Sequence, residues 1–560
     1  MTQIRLAIEI IESLRTKVDI SDLRVSYFAT VQDYYGFYID LLMQLHQKNP
    51  DVGHNITALE ISERARARSL LELLYEASIG IRQGIDPILC NKEYQLQQQL
   101  TAKTQALQHL LKGRLPKELK EGEKKLAEEF IKEIGSQMAK LQEVEAEIRI
   151  KSPRYAELKY PQPLNAQEIQ HQLLDNETIL LSYWLGDECS YLWAVTPTTI
   201  FSYQLPASSE IEAAAQEFYE YLTIPENREK PKKAAKVTAK LSQMLLQPVA
   251  EQLTQKRLLI LGDGILQRLP FCALSLPQTS EFKPLIVEYE IVSLPSASTL
   301  VQIRSDQARF VPPTKTVAVL ADPVFDKTDE RVTGKIPPQL NQLQHQIPLP
   351  SREKISRDIG KNDTEQLFSR LPFSRLEAEE IQKLMSEKSS LMLALDFDAS
   401  RATFTSSQLS QYSYVHLATH GFYNDVHPEL SGIALSLVNE QGQDIDGLLL
   451  TPDIFNLNLP AELVVLSACR TGVGKEVKGE GIVGLTRGLM YAGAKRVVMS
   501  LWSVEDEATA VLMASFYQKL LKQGEPPIKA LRAAQLEMWH HKQWQEPYYW
   551  AAFILQGEWQ

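Results

Sequence analysis

At 560 residues, 44% of them hydrophobic and 23% charged, the chain is too long for a single core and is expected to form two or more domains. Its formal net charge of −11, from 59 Lys and Arg against 70 Asp and Glu, leaves no basic excess to neutralise phosphates, so nucleic acid is not an expected partner. Four scattered cysteines without CxxC spacing and no apolar run near the roughly 20 residues of a membrane span predict a cytoplasmic protein with no disulfide framework, metal, cofactor or membrane partner.

Residues 1–150 read as helical. Between Ser26 and Gln47, Tyr34, Tyr38, Leu41, Leu42 and Leu45 recur at three- and four-residue spacing until KNPDVGHN breaks the pattern. ITALEISERARARSLLELLYEA (56–77) then reads as one second helix, closing a helical hairpin. With Ala58, Ala65 and Ala67 as small packing positions, the pair resembles one degenerate tetratricopeptide-like repeat. One or two such units are fewer than an array needs, so they are expected to dock elsewhere or to continue an array. The Gln-, Lys- and Glu-rich stretches 92–113 and 117–148, separated at Pro116, read as a second, solvent-washed hairpin: a spacer, or an arm that binds an activating protein partner.

A Pro-bearing linker, SPRYAELKYPQPL (152–164), leads into short apolar runs. TILLSYWLGDECSYLWAVT (178–196) reads as a strand hairpin, and RLLILGD, EYEIVSLPS and TVAVLAD alternate with helical segments. The polar, Pro-containing stretch 326–375 reads as a surface loop. From 376 the alternation resumes through EAEEIQKLM, SYVHLATHG, GIALSLVNEQGQDIDGLLL, ELVVLSACRTG, a Gly-rich loop, IVGLTRGLMYAGA, RVVMSLW and ATAVLMASFYQKLLKQG. Strands alternating with helices predict a three-layer α/β sandwich with a mostly parallel sheet behind the helical region. The predicted division is 1–150, 160–375 and 376–560.

Two of these strands, VHLATHGF (415–422) and VVLSACRTG (464–472), end in reactive side chains. Unbroken apolar strands are buried on both faces, so chemistry meets solvent at their carboxyl ends. A thiol becomes an effective nucleophile only beside a base or cation, and imidazole is both, so Cys469 and His420 form a candidate dyad. Gly421 lets its amide approach a carbonyl closely, and with the amide of Cys469 it can hold an oxyanion. His416 shares the strand's alternation but is not terminal and reads as a supporting residue; His427 is a more remote loop candidate. Taken singly, either motif also fits a small buried hydrophobe or a core histidine.

Together, HLATHG, LSACRTG and GEGIVGLTRGLMYAGAKRVVMSLWSVEDEATAVLMASFY resemble the CHAT domain, a caspase-like and separase-like cysteine peptidase module that follows tetratricopeptide repeats. The resemblance spans roughly 160–560 and implies a caspase-like fold, with peptide-bond hydrolysis of a protein substrate through a thioester on Cys469. LWSVEDEAT resembles separases, which implies that Asp506 receives an Arg side chain. A first-turn helix acid is the other reading of Asp506. GEGIVG (479–484) satisfies G-x-G-x-x-G, but no strand runs directly into it, so the glycines read as a cleft wall with Glu480 near the substrate. Trp502 is expected to pack under that wall. A silent adaptor that keeps the peptidase shell for protein binding is the alternative.

Overall fold

The computed structural model describes residues 1–15, 21–78, 121–151, 163–224, 231–277, 282–306, 311–332, 368–422, 431–455, 457–468, 475–477 and 481–560, with isolated helical positions between 89 and 99. The helical region comprises α1 (Thr2–Arg15), α2 (Ser21–Lys48), α3 (His54–Arg64), α4 (Arg68–Ser78) and α5 (Glu121–Lys151). The single helix expected over 56–77 is in fact two. Ala67 has φ +45, and the break turns Arg66 inward. Its guanidinium donates to the carbonyls of Leu261 (2.9 Å), Gly262 (3.3 Å) and Tyr183 (2.5 Å). Tertiary hydrogen bonds therefore override local helix propensity at this point.

The hairpin docks on the sheet domain through buried polar contacts. Trp193 donates its indole N–H to the carbonyl of Asn55 at 2.9 Å. Glu63 accepts from the backbone N–H and hydroxyl of Ser298, both at 2.7 Å; this places a carboxylate at a helix start, where the dipole favours it. Arg66→Ala would strand three buried carbonyls, and the expected loss is about 3 kcal/mol of stability. Chemical denaturation would measure it, and a loss under 1 kcal/mol would show that water replaces the guanidinium.

The strands in chain order are β1 (Thr178–Trp184), β2 (Ser190–Val195), β3 (Ile200–Leu205), β4 (Arg257–Leu261), β5 (Glu290–Ser293), β6 (Lys315–Pro323), β7 (Leu391–Asp396), β8 (Tyr412–Ala418), β9 (His420–Phe422), β10 (Gly432–Ala434), β11 (Leu448–Leu450), β12 (Leu463–Ser467), β13 (Lys475–Val477), β14 (Gly481–Val483), β15 (Arg496–Ser500) and β16 (Phe553–Gly557). Among them lie helices α6 (Ser208–Thr223), α7 (Pro231–Leu245), α8 (Ala297–Ser305), α9 (Pro372–Leu384), α10 (Leu485–Tyr491), α11 (Asp506–Tyr517) and α12 (Pro527–His540).

Among the described residues eleven strands form one sheet in the order β3-β2-β1-β4-β5-β16-β15-β12-β8-β6-β7. Only the β1–β2, β2–β3 and β15–β16 pairings are antiparallel; the other seven neighbours run parallel. Strand β16 lies between β5 and β15, so the carboxyl end of the chain closes the middle of the sheet. The fold is the expected α/β sandwich with a largely parallel sheet. Its central strands β4, β12 and β15 are buried along their whole length, which matches their unbroken apolar sequences.

Candidate functional site

Strands β7, β6, β8, β12 and β15 are neighbours and all run the same way, so their carboxyl ends share one edge. Along β8 and β12 the register pairs Ala418 with Ser467, and the Thr419 N–H donates to the Ser467 carbonyl at 3.2 Å. Both reactive motifs thus leave the sheet at one level. His420, however, is not the last residue of β8. It opens β9, which pairs with β10 in a separate three-stranded sheet, so the alternation from His416 through Ala418 stops one residue before it. Cys469, Glu480 and His427 lie outside the described residues.

The His420 ring sits among aromatic side chains. Its centroid is 5.2 Å from Phe325 and 5.5 Å from Phe368, and Phe368 lies 6.0 Å from Phe422. Its Nε2 is 2.6 Å from the carbonyl oxygen of Ser369. A carbonyl can only accept, so Nε2 carries the hydrogen, and that contact fixes both ring orientation and tautomer. Gly421 stands opposite Ile433 in the β9–β10 register.

Ser369 lies in the stretch 326–375, which sequence reading assigned to a surface loop. The described end of that stretch is built into the fold. Arg370 grips Asp322 with two hydrogen bonds, 2.9 and 2.8 Å, while Arg375 and Arg331 reach the same fully buried carboxylate at 2.7 and 3.0 Å. Asp322 is the penultimate residue of β6 and Asp396 ends β7, with φ of +49 and +54. These left-handed turns are unfavourable for a residue with a side chain, and Arg331 and Arg375 tie both acids together.

Asp506 is the first residue of α11, and its Oδ2 accepts the Phe373 N–H at the start of α9, 3.0 Å away. It is therefore a first-turn acid of its own helix and a cap on another. Burial pushes its carboxyl up to about 7; the Phe373 N–H pulls the other way, and the charges of Glu377, Asp322 and Glu505 add to the rise.

Glu377 was missed in the sequence. EAEEIQKLM looks like a solvated acidic helix, yet Ser374, Glu377, Ala378 and Ile381 form the buried stripe of α9. The signal was an acid at helical spacing within that stripe. Within GEGIVG the described residues Gly481–Val483 form β14, paired antiparallel with β13. Trp502 is buried, gives its indole N–H to the Tyr548 carbonyl at 3.1 Å and meets Tyr219 edge-on at 6.1 Å; residues 479 and 480 of the wall it was expected to support lie outside the described residues.

Among the described residues no helix is long and apolar enough to cross a membrane. A 110-residue stretch is 36% identical to human tetratricopeptide repeat protein 28, covering 20% of this chain and only 4% of that protein. The fold is similar to separase in the Saccharomyces cerevisiae separase–securin complex, with 11% identity, a TM-score of 0.41, and coverage of 98% of this chain and 48% of that one. It is also similar to the Arg-specific cysteine proteinase gingipain R, with 10% identity, a TM-score of 0.33, and coverage of 63% and 75%. The CHAT domain profile matches residues 235–558, more than half of the sequence, and the chain belongs to the CHAT domain family.

Proposed function

We propose that this protein is a cysteine endopeptidase that cleaves a protein substrate through Cys469 and His420. The observation that carries the reading is the β8–β12 register, with Ala418 level with Ser467, from which the chain runs two residues further to each reactive side chain. With Nε2–H given to Ser369, Nδ1 is the nitrogen that takes the thiol proton. The thiolate adds to the scissile carbonyl while the amides of Gly421 and Cys469 hold the oxyanion. The imidazolium then returns its proton to the leaving amine, and water hydrolyses the thioester by the same route.

Asp506 and Glu480 are assigned to a basic side chain of the substrate. The support for Asp506 is a buried carboxyl surrounded by other acids, an environment that a guanidinium or ammonium relieves. The helical region is assigned to docking an activating protein partner. A library of peptides varied at the residue before the scissile bond tests the proposal. Cleavage after Arg or Lys is expected; no turnover and no labelling of Cys469 by a thiol-directed probe, with candidate partners present, would instead identify a scaffold.

A further inference from the structure

Beneath the strand ends lies a buried polar chain that the proposed chemistry does not use. Tyr517 Oη is 3.2 Å from His416 Nδ1, His416 Nε2 is 2.9 Å from Glu377 Oε2, and the Ser467 hydroxyl donates to Glu377 Oε1 at 3.2 Å. His416 is fully buried and Glu377 is 2% exposed. Every group in the chain has a partner: a carboxylate only accepts, so His416 donates from Nε2 and accepts the Tyr517 hydroxyl at Nδ1.

The two oxygens of Glu377 divide between two strands. Oε2 holds β8 through His416, four residues before His420, and Oε1 holds β12 through Ser467, two residues before Cys469. The neighbouring backbone is fixed from other sides as well. The Thr419 N–H reaches the Ser467 carbonyl, and the Ser500 hydroxyl at the end of β15 donates to the Ala468 carbonyl. A buried carboxylate is costly unless fully bonded, and an apolar residue would fill the same stripe of α9 more simply. We infer that Glu377 is a positioning residue: one carboxylate locks the relative height of the His420 and Cys469 strand ends. Ser467, Glu377 and His416 are not a second catalytic triad, because the serine bonds the carboxylate and not the imidazole.

This inference rests on the dyad proposed above, and the test separates the two. The rate at which iodoacetamide alkylates Cys469, read by peptide mapping across pH, reports the dyad without any substrate. Glu377→Ala is expected to lower both that rate at neutral pH and kcat by on the order of 10²-fold, with KM unchanged. Glu377→Gln, which keeps one acceptor and one donor, is expected to recover most of both. Leu259→Ala, in β4 on the other half of the sheet, supplies a control for lost stability. Should Glu377→Ala not fold, Ser467→Ala removes the β12 arm alone and is expected to act in the same direction more weakly. A wild-type profile in Glu377→Ala or Ser467→Ala, or an equal change in Leu259→Ala, overturns the inference. If His420→Ala also leaves the profile untouched, the dyad falls and the inference falls with it; if His420→Ala shifts it while the Glu377 variants do not, only the inference falls.

Discussion

Replacing Cys469 with alanine is expected to lower peptide cleavage by on the order of 10⁴-fold or more, because it removes the thiol on which the thioester is proposed to form. The fold should persist, since the change removes one sulfur two residues past the end of β12 and leaves the Ala468 carbonyl, with its bond from Ser500, in place. The melting temperature of the variant is the control. The other described thiols make poor substitutes: burial pushes Cys272 up to about 12, and Cys189 sits 3.2 Å from the Tyr191 hydroxyl, far in sequence from either motif. Cys272→Ala should therefore leave turnover unchanged. Cleavage that survives in Cys469→Ala would remove the mechanism, whatever the fold resembles.

Strand identity was legible wherever burial on both faces made the sequence continuously apolar, as in RLLIL of β4 and LVVLS of β12. The shared level of the two reactive ends followed from two similar strands in a parallel sheet, and the structure pairs those strands directly. What escaped reading depends on distant partners. No local pattern shows that β16 inserts between β5 and β15, or that Arg66 breaks a strongly helical segment to reach carbonyls of β1 and the β4 end. The same holds for His420. HLATHG reads as one extended run, but Thr419 leaves the sheet to give its hydroxyl to the Ala434 carbonyl, and the next residue joins another sheet. Arg370 and Ser369 were hidden in a polar stretch because their roles come from Asp322 and His420, which sit 48 and 51 residues away.

The second large effect is expected at Asp506, where binding and stability pull in opposite directions. Its folded-state value of about 7 lies well above its ordinary 3.8, so the fold favours the protonated carboxyl. The stability this group contributes is complete below its ordinary value and is lost as pH rises through about 7. Receiving a cationic side chain requires the opposite state, the carboxylate, so cleavage after Arg should climb as pH rises through 7. Comparing Arg with a neutral residue at that substrate position separates this rise from the titration of His420, which affects both substrates alike. Asp506→Asn keeps an oxygen to accept the Phe373 N–H but cannot ionise. It is expected to melt at the wild-type temperature only below pH 3.8, to melt higher than wild type at pH 8, and to lose preference for Arg by on the order of 10²-fold, the scale of a buried charge-assisted pair left unmade. If the variant gains stability at pH 8 yet cleaves after Arg as well as before, Asp506 is only the cap that ties α11 to α9, and the basic pocket lies elsewhere along the same sheet edge.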